Sequence, residues 1–137
     1  LIDTNTYWMN RVQDVPDFEN NEWSYCPTKS YADLTPLSEL ETIDLDIVSS
    51  VETVGEEYVA DITLSNYTQV FSFFNRLELR CPDGRMPSPV IWSDNYVSLP
   101  PGSSRRLSAQ VRRELCAEGE PYITLVGWNS RLRSAEK

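Results

Sequence analysis

From Ile43 to Trp128 the apolar positions recur at every second residue, the period of a strand with one face on a core and the other in water. Ile43, Leu45 and Ile47 alternate with Asp44 and Asp46, and Tyr58, Ala60, Ile62 and Leu64 alternate with Val59, Asp61, Thr63 and Ser65. A third run over residues 70–81 places Phe71, Phe73, Leu77 and Leu79 on one side. Ser72, Phe74, Arg76, Glu78 and Arg80 fall on the other. Asn75 lies on the apolar side. An unpaired buried amide costs about 1–3 kcal/mol, so Asn75 is expected either to hydrogen-bond inside the core or to mark a bulge that shifts the pleat. Further strands are predicted at residues 90–92, 96–99, 106–112, with Leu107, Ala109 and Val111 inward, and 122–128. Turn formers separate them: Val54-Gly55-Glu56, Ser65-Asn66-Tyr67, Pro82-Asp83-Gly84, Pro100-Pro101-Gly102-Ser103 and Glu118-Gly119-Glu120-Pro121. No amphipathic helix of usable length follows Leu40. Short alternating runs with this punctuation predict an all-β chain, an immunoglobulin-like antiparallel β-sandwich of about seven strands.

The first 40 residues lack the period. Residues 6–9 are read as one short strand, but 13–22 and 35–40 are polar and marked by proline. They read as an extended N-terminal arm. It nevertheless carries Tyr7, Trp8, Phe18, Trp23, Tyr25 and Tyr31, and ring surfaces of roughly 150–250 Å² each favour burial. The arm is therefore expected to lie on the sandwich or on another domain.

Length and charge narrow the chemistry. The 137 residues suffice for one ordinary domain, and with 40% apolar and 24% charged residues the composition is that of a folded chain. No apolar run approaches the roughly 20 residues needed to cross a bilayer, and the first residues lack the design of an export signal, so no membrane partner is expected. A net charge of −9 opposes binding to phosphate backbones, which leaves nucleic acid out. Arg105, Arg106, Arg112 and Arg113 are read as a solvated strand face and residues 131–137 as a polar tail. With no histidine and no Cys-x-x-Cys, the ordinary zinc sites and imidazole-based catalysis drop out, and neither a metal nor a cofactor is expected. Of Cys26, Cys81 and Cys116, at least one is a free thiol or bonds outside the chain.

The ordered segments Asn5-Thr6-Tyr7-Trp8-Met9, Asp14-Val15-Pro16-Asp17-Phe18, Trp23-Ser24-Tyr25 with Pro27, and Tyr31-Ala32-Asp33-Leu34-Thr35 carry a family likeness. So do Phe73-Phe74-Asn75-Arg76-Leu77, the run from Val90-Ile91-Trp92-Ser93 to Leu99-Pro100-Pro101-Gly102, and Gly127-Trp128-Asn129. Together they resemble the C-terminal portion of glycoside hydrolase family 2 enzymes of the exo-β-glucosaminidase and β-mannosidase type, including mannosylglycoprotein endo-β-mannosidases. The resemblance implies a parent with a sugar-binding-like β-domain, an immunoglobulin-like domain, a (β/α)₈ catalytic barrel and one or two further immunoglobulin-like domains. On it, residues 39–130 form the last sandwich, residues 1–38 the connection into it and 131–137 the tail. Residues 5–9 become the closing strand of the preceding domain. The implied partners are the barrel and the preceding immunoglobulin-like domain of the same polypeptide, the implied setting periplasmic or extracellular rather than cytoplasmic. Two positions depart from the pattern: Asn75 stands where an apolar residue is expected, and Pro100 where Leu is more usual.

A catalytic barrel needs about 250 residues, more than this chain holds. The catalytic carboxylates of a retaining parent, roughly 5 Å apart, are therefore expected elsewhere, and no residue here is assigned a catalytic role. Trp92, Asp94, Asn95 and Tyr96, with Trp128, are the candidates for carbohydrate contact, offering rings for a pyranose and polar groups for hydroxyls. The competing reading, which the turn chemistry favours, has Trp92 and Tyr96 plugging the core while Asp94 and Asn95 turn the chain. Tyr7, Trp8, Trp23, Tyr25 and Tyr31 are the candidates for packing between domains.

Overall fold

The alternating stretches pair as antiparallel ladders. The computed structural model describes residues 6, 7 and 9–135 and divides into two units, one ending at Leu40 and the other starting at Glu41.

The first unit is more ordered than an extended arm. Strand β1 (Val15–Pro16) pairs irregularly with β2 (Thr28–Ser30). Between them Asp17 caps a 3-10 turn over Phe18–Asn20, its carboxylate accepting from the N–H groups of Glu19 and Asn20. Glu22 and Tyr25 exchange backbone hydrogen bonds at 2.9 and 3.2 Å. Asp14 accepts from the Ala32 N–H at 2.7 Å. Side chains of Asp thus supply the acceptors that a longer ladder would otherwise provide, a local pairing that hydrophobic period cannot reveal. Thr6, Tyr7 and Met9, read as part of a strand, lie in none; Trp8 lies outside the described residues.

The second unit is a sandwich of two four-stranded sheets. Its strands are β3 (Asp46–Val54), β4 (Glu57–Ser65), β5 (Ser72–Arg80), β6 (Ile91–Trp92), β7 (Val97–Leu99), β8 (Ser104–Arg112), β9 (Tyr122–Val126) and β10 (Arg133–Ser134). One sheet runs β3-β4-β8-β6 and the other β10-β9-β5-β7, the strand distribution of an immunoglobulin-like fold. Gly55, at φ +61°, makes the two-residue turn that joins β3 to β4. The inward residues of both sheets, among them Ile62, Leu64, Leu77, Leu107, Ile123 and Leu125, form one core together with Leu45, which precedes β3. The tail read as polar adds β10, which pairs Arg133 with Leu125 and Ser134 with Thr124. Edge pairing uses main-chain groups, so a polar sequence suffices for it.

Cys81 and Cys116 form a disulfide with Cα atoms 5.2 Å apart. It ties the end of β5 to the 3-10 turn Arg113–Cys116 that follows β8, and so joins the two sheets. Closing a 35-residue separation is worth about 4 kcal/mol in the chain-entropy picture. Cys26, in the first unit, is the free and exposed cysteine.

Asn75 does both things its position suggested. Ser72 pairs with Leu99 and Asn75 with Val97, so Phe73 and Phe74 together oppose Ser98 in a β-bulge. The extra residue changes the pleat's parity. Ser72 is buried where the alternation placed it outside, while Phe71 and Phe73 are only half-buried where it placed them inside. The Asn75 amide, fully buried, donates to the Val97 carbonyl at 3.0 Å and the Ser72 hydroxyl at 2.8 Å. Its oxygen accepts from the hydroxyls of Ser130 at 2.8 Å and Ser72 at 3.1 Å. Asn66 and Asn129 act similarly. Asn66 donates to the carbonyls of Val70 and Leu99; Asn129 accepts from the Phe73 N–H at 2.8 Å and donates to the carbonyls of Phe71 and Glu41. Each satisfies main-chain groups where a ladder is interrupted.

Candidate docking and ligand-contact surface

The corner at residues 92–96 is built from main-chain hydrogen bonds. Asn95 Oδ1 accepts from the Leu77 N–H at 2.8 Å while its Nδ2 donates to the Leu77 carbonyl at 3.0 Å. One side-chain amide therefore substitutes for a strand residue beside β5. Asp94 accepts from the Arg105 guanidinium at 2.6 Å, so this acid anchors the corner to β8 and Arg105 is not part of a free basic face. Trp92 is half-buried against the core. Tyr96 departs from the turn reading: it does not plug the core but stays 49% exposed, with φ +56°. Asn95 occupies the ladder position next to it, and the chain reaches β7 through a left-handed residue that turns the phenol outward.

Three of the five sugar-contact candidates, Trp92, Asn95 and Tyr96, line one shallow groove of about 390 Å³ beside β5, together with Arg76, Glu78 and Met86. Glu78 is buried on the outer face of β5 and accepts from Arg80 at 2.6 Å and also from Arg76. Burial pushes its pKa up, but the hydrogen bond from Arg80 and the charges of Arg76 and Arg80 outweigh burial and hold it below the usual carboxylate range. The Arg76 guanidinium is held still more firmly charged, first by the Tyr96 hydroxyl and then by Glu78. Glu78 therefore acts as a fixed anion within a structural cluster. It has the opposite tuning from a general acid, which needs a raised pKa.

The bulge generates a second feature that alternation did not signal. Phe74, at φ +54°, is 49% exposed and its ring lies 5.1 Å from that of Tyr96. Phe73 continues the row, 5.6 Å from Phe74 and 6.4 Å from Trp128, which is 58% exposed. Trp128 thus belongs to an aromatic row with Phe73, Phe74 and Tyr96, while Trp92 faces the core. Left-handed backbone at a bulky residue is uncommon and costs on the order of 1–3 kcal/mol. Two such residues in ring contact are held by their surroundings: the Phe74 N–H donates to Ser98 Oγ at 3.1 Å and the Tyr96 N–H to Asn95 Oδ1 at 2.8 Å. The one signal in the sequence is the Phe73-Phe74-Asn75 triplet, two rings and an amide inside an alternating run.

In the first unit Tyr7, Trp23, Tyr25 and Tyr31 are all exposed, Trp23 completely. Trp8, the fifth candidate for packing between domains, lies outside the described residues.

A four-plus-four sandwich of this topology, with no pair of juxtaposed acids among the residues lining the groove, defines an immunoglobulin-type module. Its residues 23–130 match the family described as the exo-beta-D-glucosaminidase Ig-fold domain, and the chain belongs to that family of family 2 glycoside hydrolase domains. It is 31% identical over 133 residues to an exo-beta-D-glucosaminidase of Streptomyces avermitilis, covering 94% of this chain and 15% of the relative. It is 35% identical over 101 residues to one of Arthroderma benhamiae, covering 74% of this chain and 11% of the relative. The structure of Amycolatopsis orientalis exo-chitosanase CsxA superposes with a TM-score of 0.87 at 25% identity, covering 97% of this chain and 16% of that one. The chain therefore spans about one seventh of the length of the relatives it matches.

Proposed function

We propose that this chain is the non-catalytic immunoglobulin-like module of a multidomain family 2 glycoside hydrolase acting on β-glucosaminides, and that its role is to pack against and stabilise the other domains. The observation that carries this reading is the family match filling most of the chain while spanning only 15% of the first relative. The chemistry of Glu78 supports it: a retaining hydrolase needs a protonated acid and a second carboxylate roughly 5 Å away, whereas Glu78 is locked as an anion between two arginines. The test is hydrolysis of p-nitrophenyl β-D-glucosaminide. The 137-residue chain should show none and the full-length polypeptide should turn the substrate over. Turnover by the isolated chain would overturn the proposal.

A second reading, an independent carbohydrate-binding module, draws on the exposed rings of Tyr96 and Trp128. It predicts saturable tryptophan-fluorescence changes on titrating the chain with glucosamine or mannose oligomers, and a flat titration into the millimolar range removes it.

A further inference from the structure

We infer that the row Tyr96–Phe74–Phe73–Trp128 is the face by which the sandwich docks on another domain of the same polypeptide; this rests on the multidomain reading above and names the surface it requires. Phe74, Tyr96 and Trp128 are each about half exposed, and at roughly 150–250 Å² per ring they leave on the order of 300 Å² of contiguous aromatic surface in water. A contiguous patch of that size matches the largest apolar patch on a typical monomer, which is often functional. The fold works to present it. A bulge puts Phe74 outside, the Asn95 side chain displaces Tyr96 from the ladder, and both rings stand on left-handed backbone that a glycine would adopt without strain.

The occupant follows from ring geometry and from length. Neighbouring rings tilt by 34°, 45° and 70°. They form a corrugated ridge rather than the coplanar platform on which successive pyranoses stack. Such a ridge suits aliphatic side chains of a protein surface, with Tyr and Trp as anchors. The Arg76 guanidinium beside Tyr96, 43% exposed in its side chain, adds a rim donor suited to a carboxylate or carbonyl of the partner. The relatives supply the partner: 85% of the Streptomyces avermitilis protein, the remainder beyond the 15% matched, lies outside this chain.

Hydroxyl-radical footprinting read by mass spectrometry tests the assignment without a substitution. Oxidation of Phe74, Tyr96 and Trp128 is compared in the 137-residue chain and in the full-length polypeptide, with exposed Ile91 on the opposite sheet as reference. The expected result is about a tenfold lower oxidation rate of the three rings in the full-length protein, as for anchors sealed from water, with Ile91 changed less. Equal oxidation of the rings in both forms overturns the inference, yet leaves the hydrolysis test above unaffected. A glucosamine hexamer that protects the same rings in the isolated chain also overturns it, in favour of a sugar site. Phe74→Gly with Tyr96→Gly gives the second arm. In the isolated chain, relief of strain is set against the lost ring contact and the lost Tyr96–Arg76 hydrogen bond, so its melting shift, measured in parallel, serves as the reference. In the full-length protein calorimetry should show the sandwich melting as a separate, earlier transition. A single transition at the unaltered temperature counts against docking through this row.

Discussion

Replacing Asn75 by Leu puts into β5 the kind of residue that alternation calls for. Leu is close in volume, so the pocket stays filled and the perturbation is confined to hydrogen bonding. Asn75 serves three groups: the Val97 carbonyl and the hydroxyls of Ser72 and Ser130. Stranding buried polar groups costs about 1–3 kcal/mol each; the carbonyl cannot turn away, whereas the hydroxyls can rotate toward one another, so the low end applies to them. The loss is then about 4–5 kcal/mol, from which the extra apolar burial of Leu returns about 2. A net destabilisation of about 2–3 kcal/mol is expected, which at a urea m-value near 1.5 kcal/mol/M lowers the unfolding midpoint by about 1.5–2 M. Urea titration of the 137-residue chain, followed by tryptophan fluorescence and circular dichroism, measures it. The triple variant Asn75→Leu, Ser72→Ala, Ser130→Ala removes two of the stranded groups and should regain part of the loss, because contacting sites are not additive. A single variant as stable as the parent chain, or a triple variant lower than the single one, would refute the view that this amide network holds the bulge.

Cys81→Ser with Cys116→Ala should lower stability by about 4 kcal/mol under oxidising conditions and leave no further response to dithiothreitol; an unchanged midpoint would show that the bridge is dispensable. Glu78→Gln should cost about 1–3 kcal/mol at pH 7, less than a fully buried pair because 43% and 32% of the Arg76 and Arg80 side chains remain in water. Its pH dependence has a defined sign. The folded pKa of Glu78 lies below its unfolded value, so the stabilisation is complete above about pH 4.3 and fades as pH falls through the folded value. The gap between parent and variant, followed by thermal melts from pH 7 to 3, should therefore narrow in acid, and a constant gap contradicts the ion-pair account. Gly127→Ala would drive a methyl group into Ser130 Oγ and Asn75 Oδ1, with Ser130 Cβ at 3.0 Å. It should cost at least about 2–3 kcal/mol by overpacking together with disruption of the same amide network; a neutral effect in urea would mean that the Asn75 cluster shifts freely.

The alternating runs in β4 and β8 were legible, and so were the turns beside them, because a side-chain period of two and the conformations of Gly and Pro are properties of a few neighbouring residues; the run over residues 43–47 reached only the first two residues of β3, and the strand read at 122–128 ends at Val126 in β9. The sandwich followed from their number and spacing, and the family likeness from ordered segments across most of the chain. Tertiary structure decided the rest. Whether Asn75 sits in the core or makes a bulge depended on Val97 and Ser130, far away in sequence, and the answer reversed the facing of Ser72 and exposed Phe74. Cys81 and Cys116 could be recognised as partners only once β5 and the turn after β8 lay 5.2 Å apart. Arg76, Glu78 and Arg80 already shared one face in the alternation, but the burial of Glu78 beside Thr124 of β9 required the paired sheet. The aromatic row is the clearest case: its rings come from a bulge, a corner and a strand end, and no local pattern says that Tyr96 and Trp128 converge on one pair of phenylalanines, since that convergence is set by which strands become neighbours.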